Sequence, residues 1–330
     1  MLKLAVTTTV KNDYYFIEDF INYYKKIGFH KIIIFDDGSS KKFLKIISKY
    51  NFVSVIEKNT SYQLKDTDWL KEIRSQYHFS FDIRKRFNTY YACKLLYKDG
   101  FDWLLSCDTD EFIGSFRDGQ SFNLKEKLKN LKVPQASFLA RDVVFNTKKK
   151  LFENTKFRSL GVCDYWFGKF YQILLTKFNS NILDKSYSVI FNSIFGKKIT
   201  KINIGETYFI IPVNPSYLGH KSILNLKYYR NKNFNVHYWV NSENHKKLSY
   251  KVIGALYHFD LTCAKQVFDK FRKRTDKVAF NGPNYRNFLE SKAKSMSFKE
   301  FNVFYNNYIY AYNNVETIEI KQIMSLLKNE

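Results

Sequence analysis

The chain has 330 residues, with 54 Lys and Arg against 31 Asp and Glu, a formal charge of +23 and an isoelectric point near 9.6. That length accommodates one large α/β domain, or a catalytic domain with a smaller appendage, and buries enough apolar surface to fold without staples. The charge implies an anionic partner (nucleic acid, acidic lipid or a phosphorylated substrate), but its spread as Lys along the whole length argues against a dedicated nucleic-acid groove.

In chain order, residues 2–9, LKLAVTTT, read as a buried strand, because aliphatic and β-branched residues run together and no helical period fits. Asn12 or Asp13 can then cap a helix whose apolar positions, Phe16, Ile17, Phe20, Ile21, Tyr23, Tyr24 and Ile27, recur at helical spacing before Gly28. KIIIF, residues 31–35, is a second strand, making a right-handed βαβ unit and the start of a mostly parallel sheet. A helix follows at 41–49, capped by Ser39 or Ser40, then a strand at 52–56, a polar excursion, and a longer helix from about Arg84 to Lys98 that delivers the chain into a strand at Trp103–Cys107. Further on come a helix at 124–131, a strand at 136–140, strands at 208–213 and 252–257, and an amphipathic helix at 262–273. Residues 146–205 show no clean periodicity and read as long loops over the active face, while the aromatic tail FKEFNVFYNNYIYAYNN could pack as a helix or touch a membrane surface, packing being the expected use.

Four cysteines, Cys93, Cys107, Cys163 and Cys263, have no ligand or disulfide spacing, so neither zinc nor a disulfide framework is expected. The opening apolar run is too short for a signal peptide, and no stretch approaches the roughly 18 apolar residues of a spanning helix. A cytoplasmic protein is expected, at most peripheral to the inner membrane face.

Chemistry concentrates in WLLSCDTDEF, residues 103–112, where Asp108, Asp110 and Glu111 follow a buried strand. Two carboxylates spaced by one residue suit a divalent cation, which takes oxygen ligands and offsets their repulsion; a solvated turn would suit them as well. Ligands in open α/β sheets sit beyond the carboxyl ends of the strands, so Thr7–Thr9, Asp36 and Asp37 in FDDGSS, and the DTDE cluster should converge on one rim. Asp36 could accept from a nucleoside hydroxyl, and His258, after an apolar run in ALYHFD, could reach a metal; the plain alternatives are a helix cap and a satisfied structural histidine. Glycine is too scarce for a phosphate-cradling loop, and no serine elbow, P-loop or HExxH motif is present.

Together, VTTTVKNDYYFIEDFINYYKKIGFHKIIIFDDGSS, YYACKLLYKDGFDWLLSCDTDEFI and ALYHFDLTCAKQVFDKFRKR resemble glycosyltransferases of the GT-A fold, in the family 2-like and family 92-like group. Asn12, Glu18, Gly28, Asp36 and Ser39 stand at matching places, with Asp19 where Trp is usual. The resemblance implies a glycosyltransferase domain over residues 1–275, with a nucleotide-sugar half to 115 and an acceptor half from 116, then a helical extension over 276–330. It implies Mn²⁺ or Mg²⁺ on Asp108, Asp110 and His258, and a nucleoside-diphosphate sugar, a UDP-sugar foremost, held by Thr7, Thr8, Asn12, Asp36, Arg86, Asn88 and Asp108. Transfer to a glycan or lipid-linked acceptor, with inversion, requires a base, for which Asp142 in LARDVVF is the first candidate and Asp164 the second. The rivals are a metal-dependent phosphotransferase or nuclease, for which further acidic ligands cannot be placed, and a basic nucleic-acid-binding protein, for which no module is recognisable. Glu111 is expected to brace the neighbouring loop while Phe112 turns into the core.

Overall fold

The computed structural model describes residues 2–58, 73–115, 122–144, 156–158, 200–204, 207–211, 220–259, 263–272, 285–312 and 317–319. The fold is mixed α/β, with a large central sheet flanked by helices, as the strand and helix periodicities predict. Two compact units divide it. One draws its described residues from 1–140 and 219–258, and the other from 141–218 and 259–320.

In the first unit β1 (Leu4–Val10) is buried at every position and lies at the centre. It pairs in parallel with β2 (Lys31–Asp36) on one side and β4 (Trp103–Ser106) on the other, and β3 (Val53–Ile56) extends the parallel block beyond β2. Being covered on both faces, β1, β2 and β4 read as continuous apolar runs. Beyond β4 the sheet turns antiparallel through β10 (His220–Asn225) to β6 (Gln135–Val144), and β13 (Tyr250–His258) pairs with β5 (Glu111–Gly114).

Helix α1 (Ile17–Lys26) buries Ile17, Phe20, Ile21, Tyr23 and Tyr24. Its tyrosines also hold β5 by its backbone, for the Tyr23 hydroxyl donates to the Ile113 carbonyl at 2.5 Å and that of Tyr24 to the Glu111 carbonyl at 3.0 Å. Contrary to the sequence reading, neither Asn12 nor Asp13 caps α1; the N-cap is Phe16 with no side-chain bond, and Asn12 adopts φ +54° to turn the chain out of β1. Helix α2 (Lys41–Ile47) is capped by Ser40, whose Oγ accepts from Phe43 N at 3.3 Å. Helix α3 (Phe81–Lys98) starts three residues earlier than periodicity predicts, because Ser80 Oγ accepts from Ile83 N. Its Ile83, Phe87, Tyr90 and Cys93 join a core with Phe234 and Trp239 from the short hairpin β11 (Lys232–Phe234) and β12 (Trp239–Asn241). A short helix α4 (Leu124–Lys129), capped by Asn123, precedes β6.

The second unit carries β7 (Lys156–Arg158), which pairs with Val143 and Val144 and with β14 (Thr317–Glu319), and a hairpin of β8 (Thr200–Ile204) and β9 (Thr207–Ile211). Helices α5 (Ala264–Arg272), α6 (Tyr285–Ser295) and α7 (Phe298–Tyr312) complete it. The aromatic tail is helical as expected, with Phe301 packed against Phe268 and against Tyr305. Most of the stretch 146–205 lies outside the described residues.

Candidate active site

The parallel register sets the rim. Thr7 stands opposite Ser106, and Val10 opposite Asp36, so the chain leaves β1, β2 and β4 at one edge of the sheet. Thr7–Thr9, Asp36–Asp37 and Asp108–Glu111 therefore converge as the sequence predicts.

The β2 exit is a closed turn. Asp36 accepts from Ser39 N at 2.9 Å and Gly38 N at 3.3 Å, with Gly38 at φ +91°, which a side chain would disfavour. Asn12 ties this turn to β1: its Oδ1 accepts from Ser40 N at 2.8 Å, and Ser39 Oγ accepts from Asn12 N at 3.0 Å. Asp37 lies beneath in a two-toothed pair with Arg84 of α3, at 2.8 and 2.9 Å. Arg84 also donates to the Tyr77 and His78 carbonyls. Thus Asn12 and Asp36, expected at the nucleotide, have turn-building bonds already made.

Of the remaining expected nucleotide residues, Thr7 Oγ1 donates to the Ile33 carbonyl at 3.0 Å, and Arg86 spends its guanidinium on the Phe234 carbonyl and Asn233 Oδ1, joining α3 to β11. Asn88 donates to Thr9 Oγ1 at 3.0 Å. Asn88 Oδ1 and Thr8 Oγ1 are buried without a hydrogen-bond partner among the described residues, the state of acceptors that a ligand would satisfy.

The β4 exit holds a dense charge cluster. Asp108 Oδ1 is paired with Lys85 Nζ of α3, and Oδ2 with Lys221 Nζ of β10 at 3.1 Å. Lys221 also meets Glu111 Oε2 at 3.2 Å, and the same Glu111 oxygen accepts from Asp108 N at 2.8 Å. Burial raises the Asp108 carboxyl, but the Lys221 and Lys85 ammonium groups outweigh it and hold the group well below the usual carboxylate range. For Lys221, burial lowers and the paired carboxylates raise; the carboxylates win, so it stays charged. Glu111 is pushed up by its burial, against the pull of Lys221. Glu111 thus braces its loop as expected, and Phe112 is fully buried. Thr109 Oγ1 donates to Asp13, tying the crest of the turn to the segment after β1.

Asp110 lies beside the cluster, its Oδ1 at 3.9 Å from His258 Nε2 at the end of β13, where His258 pairs with Glu111 in register. Asp110 and His258, 148 positions apart in the sequence, are brought together by the pairing of β5 with β13. Among the described residues no group of three or more His, Cys, Asp or Glu is placed to hold a metal ion. Asp142 is on β6, but its side chain and the whole of Asp164 lie outside the described residues. Lys85 and Lys221 were not foreseen. A lysine two positions before the apolar pair Ile223–Leu224 is the faint signal HKSILN offered, since a buried ammonium needs a partner.

The Glycosyltransferase family 92 model matches residues 7–303, and the chain belongs to that family. No curated protein matches it. Among solved structures, HddC from Yersinia pseudotuberculosis superposes with a TM-score of 0.35 and 9% identity, covering 78% of this chain and 93% of that one. Membership of family 92 makes the chain a glycosyltransferase.

Proposed function

We propose that this glycosyltransferase takes its sugar from a nucleoside-diphosphate sugar, a UDP-sugar foremost, and passes it with inversion to a hydroxyl of a glycan or lipid-linked acceptor in surface polysaccharide synthesis. The observation that carries the reading is the convergence of β1, β2 and β4 at one rim, with Asp110 and His258 in contact beside an ionised Asp108. A carboxylate suits Mn²⁺ or Mg²⁺ when phosphate oxygens complete the shell, and an imidazole nitrogen favours Mn²⁺ of the two, so Asp110 and His258 are the residues to hold it, with Asp108 alongside. When bound, the cation neutralises charge developing on the departing diphosphate. The partnerless Thr8 Oγ1 and Asn88 Oδ1 supply acceptors for the nucleotide, and Asp142 is the candidate to take the proton from the acceptor hydroxyl.

Thermal-shift measurements with UDP, GDP and CMP, each with and without Mn²⁺, test this reading. Stabilisation by a nucleotide that needs Mn²⁺ and disappears in Asp110→Ala is expected; stabilisation by oligonucleotides alone would overturn it. No described helix is long and apolar enough to cross a membrane. We place the enzyme at the anionic inner face through its lysines, each adding about 1 kcal/mol near such a surface. Sedimentation with equal recovery on anionic and neutral vesicles would remove that placement.

A further inference from the structure

Lys221 and Asp108 are 113 positions apart and meet only because β10 lies antiparallel beside β4. The Lys221 ammonium faces three oxygens: Asp108 Oδ2 at 3.1 Å, Glu111 Oε2 at 3.2 Å and the Val236 carbonyl at 3.1 Å. An ammonium has three N–H donors, so its capacity is filled inside the protein. Lys85 takes the other Asp108 oxygen. The side chains of Lys85 and Lys221 are 3% and 2% exposed, whereas that of Asp108 is 36% exposed. Both cations therefore lie on the inner side of a carboxylate whose outer side is open.

Burying two ammonium groups carries a large desolvation cost before pairing, and a solvated turn would need neither. What the arrangement achieves is a fixed orientation, since a carboxylate held through both oxygens cannot rotate about its own axis. We infer that Lys221 and Lys85 are positioning residues for Asp108, setting the face it presents to the donor nucleotide, while Lys221 locks the same carboxylate to Glu111. The inference rests on the transferase reading and adds two residues to it.

Two explanations of Lys221 are separable. If it merely neutralises Glu111, removing both charges restores everything; if it orients Asp108, stability returns without affinity. The test uses the full chain, with UDP and Mn²⁺ as probe and calorimetric Kd and Tm as readouts. Lys221→Met and Asp108→Asn are each expected to weaken UDP by about 10- to 100-fold, the usual loss when an outer support is removed. The double variant Lys221→Met/Asp108→Asn should lose no more than the worse single one, because both act through one carboxylate. Lys221→Met/Glu111→Gln should recover the Tm lost in Lys221→Met but not the affinity. Wild-type affinity in that variant, or losses that multiply in the first double variant, would overturn the inference and leave the transferase reading intact. If Lys221→Met does not fold, Lys85→Met, which keeps Glu111 paired, carries the same comparison. Wild-type protein that binds none of UDP, GDP or CMP would sink the transferase reading, and the inference with it.

Discussion

Replacing Arg84 by Met should destabilise the first unit more than any exposed charge deletion. Arg84 and Asp37 are side chains only 6% and 7% exposed, joined by a hydrogen bond of 2.9 Å from Nη2 and an ion contact of 2.8 Å at Nε. After the substitution Asp37 keeps Lys58 at 3.4 Å, but that side chain is 38% exposed and its pull is screened by water. Breaking one side of a buried pair costs about 3–5 kcal/mol, a large share of a total stability of about 5–15 kcal/mol. The Tyr77 and His78 carbonyls also lose a donor, at about 1 kcal/mol each. In Arg84→Met/Asp37→Asn the unpaired charge is gone, and about 3–5 kcal/mol should return, leaving about 2 kcal/mol of carbonyl loss. Urea unfolding followed by circular dichroism reads both values from the midpoints. A single-variant loss below about 1 kcal/mol, or a double variant no more stable than Arg84→Met, would refute the claim that the buried charge dominates.

Three further outcomes follow from local geometry. Burial, with Glu18 adding to it, raises the Asp19 carboxyl to about 6 from 3.8; a raised carboxyl costs stability above the folded value, and the cost fades as pH falls from about 6 to about 4. Asp19→Asn should therefore gain about 1 kcal/mol at pH 7.5 after discounting for solvent, and nothing at pH 4, so an equal gain at both pH values in thermal unfolding would contradict the assignment. At Gly254 an added Cβ would stand 2.4 Å from the Gly114 carbonyl oxygen across the β13–β5 pair, so Gly254→Ala should lose about 1–3 kcal/mol; an unchanged Tm would show that the strands part freely. Ser40→Ala removes the cap of α2 and should cost about 1 kcal/mol, checked by the same melt, with no loss expected if Phe43 N were otherwise satisfied.

The parallel half of the sheet was legible because β1, β2 and β4 are buried on both faces and α1 exposes one face only, patterns that survive in a linear string. The same holds for Ser40, whose capping depends on neighbours three residues away. The antiparallel half was less so: β5, β10, β11 and β12 are short, and β10 offers only Ile223 and Leu224 as apolar residues among four polar ones. At the site, chain order placed Asp36 and Asp108 on one rim, yet offered Asn12 or Asp13 as a helix cap when Asn12 instead clasps the β2 turn. What each carboxylate does depended on partners from distant elements: Arg84 for Asp37, Lys85 and Lys221 for Asp108, and His258 for Asp110. Sequence alone determined where negative charge gathers, because strand ends and turns are set by near neighbours. Only the tertiary structure decided how that charge is balanced, because a buried ion is satisfied by whatever strand pairing and helix packing bring within about 3 Å of it.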